Sequence, residues 1–371
     1  MQRRIGSLSV LRVPLFAPDT DCGQHDAVSM VWNRQVEPGY LKPATGACQS
    51  ILALAARYGD VHLATDVFRV LTERGTIFTS HHYELLITTY LNANDLSAAL
   101  SVILIMVDAN LKVNTGTCQP LFWYLRKEMP GEASRPMAAF NQLQDFEASG
   151  RKVPTAAINA CIQASIALER FEEGIEIYKA LHTVSHSGPD TQTFNVLFRG
   201  CHMNIRKELA MFFANEMIQL GLKPDRLTYD RLIMVCLQAD DLEDALLYYE
   251  EMRSMKVKLG SAEVMKPRKG TWETLILTCV AKNEERAVAL LRDYKQEMEN
   301  PRALVEKTVR QRFEQGNMSS DPSNELANAG MLETGQVARE ERPRDSVPPS
   351  KESATGDSEV HPLMEVTRKA P

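Results

Sequence analysis

Residues 191–225, TQTFNVLFRGCHMNIRKELAMFFANEMIQLGLKPD, are followed by 226–260, RLTYDRLIMVCLQADDLEDALLYYEEMRSMKVKLG, and the two stretches align without a gap. Thr193, Phe194, Leu197, Cys201, Ala210 and Met217 return 35 residues later as Thr228, Tyr229, Leu232, Cys236, Ala245 and Met252. A self-match at fixed spacing marks a stack of like units rather than one enclosed core. Such a stack offers a long repetitive surface and no single catalytic cleft.

Within 191–225, Phe194, Leu197, Phe198 and Cys201 keep the i, i+3, i+4, i+7 spacing of one helical face. Thr193 is the expected N-cap of that helix. Ala210, Phe213, Ala214 and Met217 make the stripe of a second helix. Gly221 and Pro224 then supply the left-handed stop and the break expected after it. Neither helix buries its stripe alone; packing on the next pair does, which predicts an all-α solenoid with nearest-neighbour contacts. Ala64, Ala99, Ala210 and Ala245 are the small residues that let paired helices approach.

The period runs outward in both directions. Ala64 and Leu71 recur as Ala99 and Met106, framing units at 45–79 and 80–114. A stretched unit occupies 115–154, with its extra residues around Met129–Pro136. The unit at 155–190, one residue longer than the rest, carries Ile158, Ile162, Ile177 and Leu181 in register. After an insertion at 261–270, a last unit spans about 268–299, with Trp272, Leu275, Ile276, Cys279 and Leu290. About seven units result. Leu304, Val305, Val309 and Phe313 predict a capping helix over 300–315, and 316–371 is a disordered tail on composition.

Residues 1–44 combine a leader with a partial repeat. Arg3, Arg4 and Arg12 precede the first acid, Asp19, as in a mitochondrial presequence. Residues 27–44 equally resemble the second helix of an earlier unit, so a targeting signal and an interrupted array both stay open. The seven cysteines form no CxxC pair and no metal cluster, and Cys201, Cys236 and Cys279 share one repeat position, which makes them small buried thiols. Their use fits a reducing compartment. No apolar run approaches the roughly 20 residues of a membrane span.

Thirty-five-residue helix pairs with an early Thr-aromatic-Asn, a central Ala, a late Met and a Gly-x-Lys-Pro-Asp ending resemble the pentatricopeptide repeat family. TFNVLF and NEMIQLGLKPD within 193–225, and TYDRLI with YYEEMRSMKVK within 228–258, carry the likeness. The tetratricopeptide repeat, with a period of 34, lacks support here because its Trp-x-x-Leu-Gly pattern is missing. The resemblance implies a right-handed superhelix that binds single-stranded RNA, one base per unit. It also implies that the fifth and last residues of a unit meet the base edge. Carried onto this chain, those pairs are Asn159 with Asp190 and Asn195 with Asp225, an Asn–Asp combination the family associates with uracil. Asp230 takes the fifth place in the next unit, opposite Gly260. Gln192 and Leu227 stand where the base would be sandwiched. Gln49 with Thr79, Glu84 with Asn114, and Gln119 with Pro154 do not translate.

The residues also allow a plainer reading, in which Asp190 and Asp225 cap helices and Asn195 bonds only to local backbone. Charge weighs against nucleic acid: the chain carries net −6 with pI near 5.8, whereas phosphate binding draws on Lys and Arg. The candidate phosphate contacts are Arg199, Lys256, Lys258, Arg268 and Lys269, with Arg206 and Lys207 nearby. His82-Tyr83-Glu84 is half of a zinc deaminase motif without its Pro-Cys-x-x-Cys partner. No catalytic constellation, cofactor site or small-molecule site is expected. The expected function is an RNA-binding adaptor in mitochondrial RNA processing, stability or translation, with cytoplasm or nucleus as the other locations. Its rival is a protein-binding scaffold, such as a mitoribosome or complex assembly factor, with no base-specific contact.

Overall fold

The computed structural model describes residues 21–127, 134–255 and 265–313. Sixteen α-helices fall within these stretches, and no strand does. After α1 (Asp21–Val31), which continues as a π-helical turn to Val36, the helices come in pairs. The first helices are α2 (Thr45–Tyr58), α4 (Ser80–Asn92), α6 (Gln119–Leu125), α8 (Thr155–Ala167), α10 (Thr191–Met203), α12 (Arg226–Gln238) and α14 (Lys269–Ala281). The second helices are α3 (Val61–Glu73), α5 (Leu96–Asp108), α7 (Arg135–Ala148), α9 (Phe171–Val184), α11 (Lys207–Gln219), α13 (Leu242–Ser254) and α15 (Arg286–Glu297). α16 (Ala303–Phe313) closes the array against α14 and α15.

Successive first helices pack directly on one another from α2 to α14, whereas the backbones of most successive second helices stand farther apart and meet through long side chains such as Tyr178 and Phe213. Units that meet closely along one layer and spread along the other curve toward the close layer. The first helices therefore line the inner side, and the second helices form the outer one. The stripes read from the sequence are the core: Ile158, Ile162, Leu197, Phe198, Leu275 and Ile276 are fully buried, as are Ala64, Ala99, Ala210 and Ala245 where the helices of a pair approach. Tyr178 shows how units interlock, its ring meeting Phe194 and Phe213 at 5.9 and 5.3 Å between centroids.

Two details differ from the sequence reading. Thr193 is not the N-cap of α10; Asp190 is, and Thr193 sits at the third helical position, where its hydroxyl completes the capping box. Leu304 points outward, and Val305 and Val309, with Phe313 partly buried beside them, anchor α16. The tail at 316–371, the leader before residue 21 and the insertion core at 256–264 lie outside the described residues.

The turn inside each complete pair reverses direction at one left-handed residue. Gly59, Asn94, Glu169, Ile205, Asp240 and Asn283 occupy it, with φ between 53° and 69°. The next residue's N–H then returns to a carbonyl five back, as Arg206 to Cys201 and Asp241 to Cys236, closing the first helix. Left-handed backbone suits Gly and Asn; a β-branched side chain there is strained. Ile205, more than half exposed, gains nothing from burial in return. We predict that Ile205→Asn stabilises the chain by roughly 0.5–1 kcal/mol, seen as a higher melting temperature with unchanged helical circular dichroism.

Candidate nucleic-acid interface

The fifth residue of a first helix reaches the start of the next first helix, and this contact recurs along the array. The Gln49 amide faces His82 Nε2 at 3.3 Å. Glu84 Oε1 accepts from Thr117 Oγ1 at 3.3 Å. Asn159 Nδ2 donates to Asp190 Oδ1 at 3.0 Å. Asn195 Nδ2 lies 3.2 Å from both oxygens of Asp225, and the Thr228 hydroxyl is 3.0 Å from Asn195 Oδ1. Asp230 Oδ1 accepts the Arg268 backbone N–H at 2.9 Å. These rungs share one construction: a cap residue, a polar side chain three residues on, and the fifth residue of the preceding unit.

The caps explain why the rungs form at this edge. A helix start leaves free N–H groups. Asp190 Oδ1 takes that of Thr193, and Asp225 Oδ1 that of Thr228, both at 2.8 Å. Each threonine hydroxyl accepts the cap's own N–H in return. Capping and pairing across units thus use the same carboxylate. The expectation that Asn195 bonds only to local backbone does not hold, because its amide is committed across the unit boundary. Asn195 is 1% exposed.

The two Asn–Asp pairs are not equivalent. Asn195 spends both its donor and its acceptor. Asn159, also buried, has no partner for Oδ1. Asn159 itself lines a cavity of about 100 Å³ between α6, α8, α10 and α12, whose wall includes Gln119, Gln192, Asn195 and Arg231. Asp190 and Asp225 are half-buried and reach the surface at the same edge.

The third copy changes chemistry. Gly260, the residue the repeat sets opposite Asp230, lies outside the described residues; Arg268 stands at the cap position of α14, beside Asp230. Its guanidinium Nε lies 3.5 Å from Asp230 Oδ2. Burial raises the Asp230 carboxyl above the usual range, with the Arg268 N–H and Thr271 opposing that shift. A charge pair thus replaces the Asn–Asp pair.

Arg231, unmarked by any sequence signal, belongs to the inner surface too. It donates to the Asn195 carbonyl at 2.6 Å. Burial, then the charges of Arg199 and Arg268, hold its guanidinium down to about 10. Arg199 is exposed and makes no ion pair with a described residue. Other basic candidates are occupied. Lys269 donates to the Asn300 carbonyl at 2.8 Å. Lys207 is held by Asp241 and Asp244, and Arg206 pairs with Glu172 at 3.6 Å. Lys256 and Lys258 fall outside the described residues.

Charge divides by layer. The seven first helices hold Arg57, Arg199, Arg226, Arg231 and Lys269 against Glu84, Asp230 and Glu273, a net of +2. The seven second helices hold sixteen acids and eight bases, a net of −8. Residues 226–260 carry seven acids, of which Asp230 alone lies on the first helix.

Neither metal nor thiol chemistry draws on this surface. His82 serves the capping box of α4, 2% exposed, and no cluster of metal ligands occurs among the described residues. Burial pushes the Cys201 and Cys236 thiols up to about 12 and Cys279 to about 11. No described helix is long and apolar enough to cross a membrane.

With the geometry in hand, the likeness to known proteins is specific. A family model described as pentatricopeptide repeat-containing protein matches residues 45–181, and the single-repeat model of the family matches 227–257. Over these residues the chain is a pentatricopeptide repeat protein. A pentatricopeptide repeat-containing protein of Arabidopsis thaliana is 30% identical over 130 residues, 33% of this chain and 22% of that protein's length. Among solved structures, the maize pentatricopeptide repeat protein PPR10 is 17% identical, with a TM-score of 0.42 over 83% of this chain and 46% of that one. The same protein in complex with an 18-nt psaJ RNA element is 16% identical, with a TM-score of 0.43 over 79% and 41%. This chain thus matches less than half the length of each.

Two measurements follow for this repeat protein. Asn195→Ala removes the amide donor to both Asp225 oxygens and one acceptor of the Thr228 hydroxyl, and is expected to cost about 1–2 kcal/mol in denaturant unfolding. Gln119→Ala, at an exposed fifth position opposite Pro154, is expected to stay within about 0.5 kcal/mol. His82 and His202 have lowered values, first through burial. Unfolding lets them take up protons, so their contribution is intact above the unfolded value of 6.5 and lost as pH falls below it. Melting temperature should drop between pH 7.5 and 5.5, and drop less in His82→Gln.

Proposed function

We propose that the inner layer binds single-stranded RNA, with the Asn159–Asp190 and Asn195–Asp225 edges meeting successive bases. The separation of charge between the layers carries this reading. The net charge of −6 argued against a polyanion, yet the acids collect on the outer helices, and Arg199, Arg231 and Arg268 gather on the inner side. Phosphate attraction needs local rather than total positive charge. Asp225, half-buried at the surface edge, offers acceptors suited to the N3–H of uracil. A U-containing target follows from that chemistry.

With few unpaired bases, affinity is modest and strongly salt-dependent. The chain acts by occupying RNA, protecting it or holding it open, and not by chemistry upon it. Arg3, Arg4 and Arg12 extend the proposal to mitochondria, in RNA processing, stability or translation. A second reading, a protein-binding scaffold, draws on Phe212, Ile218 and Leu247, all exposed on outer helices.

Retention of a randomised RNA pool by the full chain tests the first reading. A U-containing core should be enriched over a duplex control, and Asp225→Asn should move the preference toward C. The asparagine keeps a capping oxygen while presenting a donor to cytosine N3. Enrichment of no sequence, together with binding of a protein partner through the Phe212–Leu247 face, overturns the RNA reading in favour of the scaffold.

A further inference from the structure

The unit at 115–154 lacks a rung: Gln119 is exposed and Pro154 offers no side-chain acceptor. The inner face opens there. A cavity of about 390 Å³ lies between α4 and α6, walled by Trp123, Tyr124, Thr88, Gln119 and Lys127. Gln119 also borders the Asn159 cavity, so the two openings flank one helix. Trp123 lies one helical turn beyond Gln119 and is 50% exposed, while Trp32 and Trp272 are 1% and 0% exposed. The Arg126 guanidinium lies 5.2 Å from the Trp123 ring centre, and Arg135 lies 5.0 Å from that of Tyr124. Lys127 is exposed and makes no ion pair with a described residue.

An indole left half in water on the inner face of a solenoid gives up the burial that stabilises its two counterparts. An aromatic face with arginine beside it and lysine at its rim has the composition of a stacking site for an unpaired nucleobase with its phosphate. We propose that Trp123 is a base-stacking platform, sequence-tolerant because every base has a π-face, with Lys127 neutralising the adjoining phosphate. This rests on the RNA reading of the inner layer and adds a contact in the unit whose fifth and last residues make no readable pair. The strand would be read by edge at Asn159 and Asn195 and held by face at Trp123.

The buried positions of Trp32 and Trp272 make intrinsic fluorescence a reporter of Trp123. The full chain is titrated with a 12-nucleotide single-stranded RNA, with an abasic strand of equal length, and with a proline-rich peptide; anisotropy of labelled RNA gives affinity independently. RNA should quench the emission, the abasic strand should not, and Trp123→Ala should remove the quench. That variant should bind about tenfold more weakly at an unchanged melting temperature, with Trp123→Phe restoring most of the affinity. RNA binding with unchanged emission and full affinity in Trp123→Ala overturns the platform and leaves the RNA reading standing. Quenching by the peptide alone overturns it in favour of a protein ligand. No binding of any RNA overturns both.

Discussion

The polar rung between neighbouring first helices is the contact on which the array depends. Apolar stripes make the helices stick, but they tolerate sliding, since one leucine packs nearly as well as the next. A buried amide that must find one particular carboxylate does not slide. Asn195 bonds to Asp225 while that carboxylate caps the following helix, so the start of each first helix is fixed relative to the one before it. An unmet buried polar group costs more than a met one gains, which makes the rung a device for register more than for raw stability. Curvature follows, because the rungs sit on the inner layer, while the second helices are joined by ring contacts and ion pairs such as Tyr178 with Phe213 and Arg286 with Glu243, with no recurring capped rung.

The rung also sets what the surface can recognise. The side chains that hold units together are the ones the family resemblance assigns to base reading, and both roles fit one pair because a carboxylate has more acceptor sites than the cap and amide use. Asp225 retains lone pairs after both tasks. Where the pair becomes Asp230 with Arg268, the donor and acceptor sides are exchanged and the register is still kept. Where it is lost, at Gln119 and Pro154, the face opens into cavities. Departures from the repeat are therefore chemically distinct places along the inner surface, and the arginines of the inner layer gather around the first two.

Much of the fold was legible in the sequence, because periodicity is a direct image of burial. Phe194, Leu197 and Cys201 face inward for the reason that their spacing matches a helix turn, and their counterparts at Tyr229, Leu232 and Cys236 do so again. The helix starts were less legible at single-residue level. Thr193 looked like a cap, but the cap was Asp190, because threonine serves equally well at the third position of a capping box. The site was half legible. Asn195 and Asp225 were marked by their place in the repeat, yet their hydrogen bond to each other depends on the distance between units, which no spacing along the chain encodes. Arg268 meets Asp230 because the insertion sets the cap of α14 beyond the position that the 35-residue period assigns. Arg231 and Trp123 carried no repeated signal, and total charge concealed a division that only the layering brings out.

A double-mutant cycle at Asn195 and Asp225, read as unfolding free energy, tests the central claim most directly. Asn195→Ala removes the rung, Asp225→Ala removes the rung and the cap, and the double variant isolates what the two share. A rung that fixes register predicts a coupling of about 1 kcal/mol or more between the two changes. Additivity within about 0.3 kcal/mol would mean that the apolar stripes alone hold the units in place, and would contradict the account.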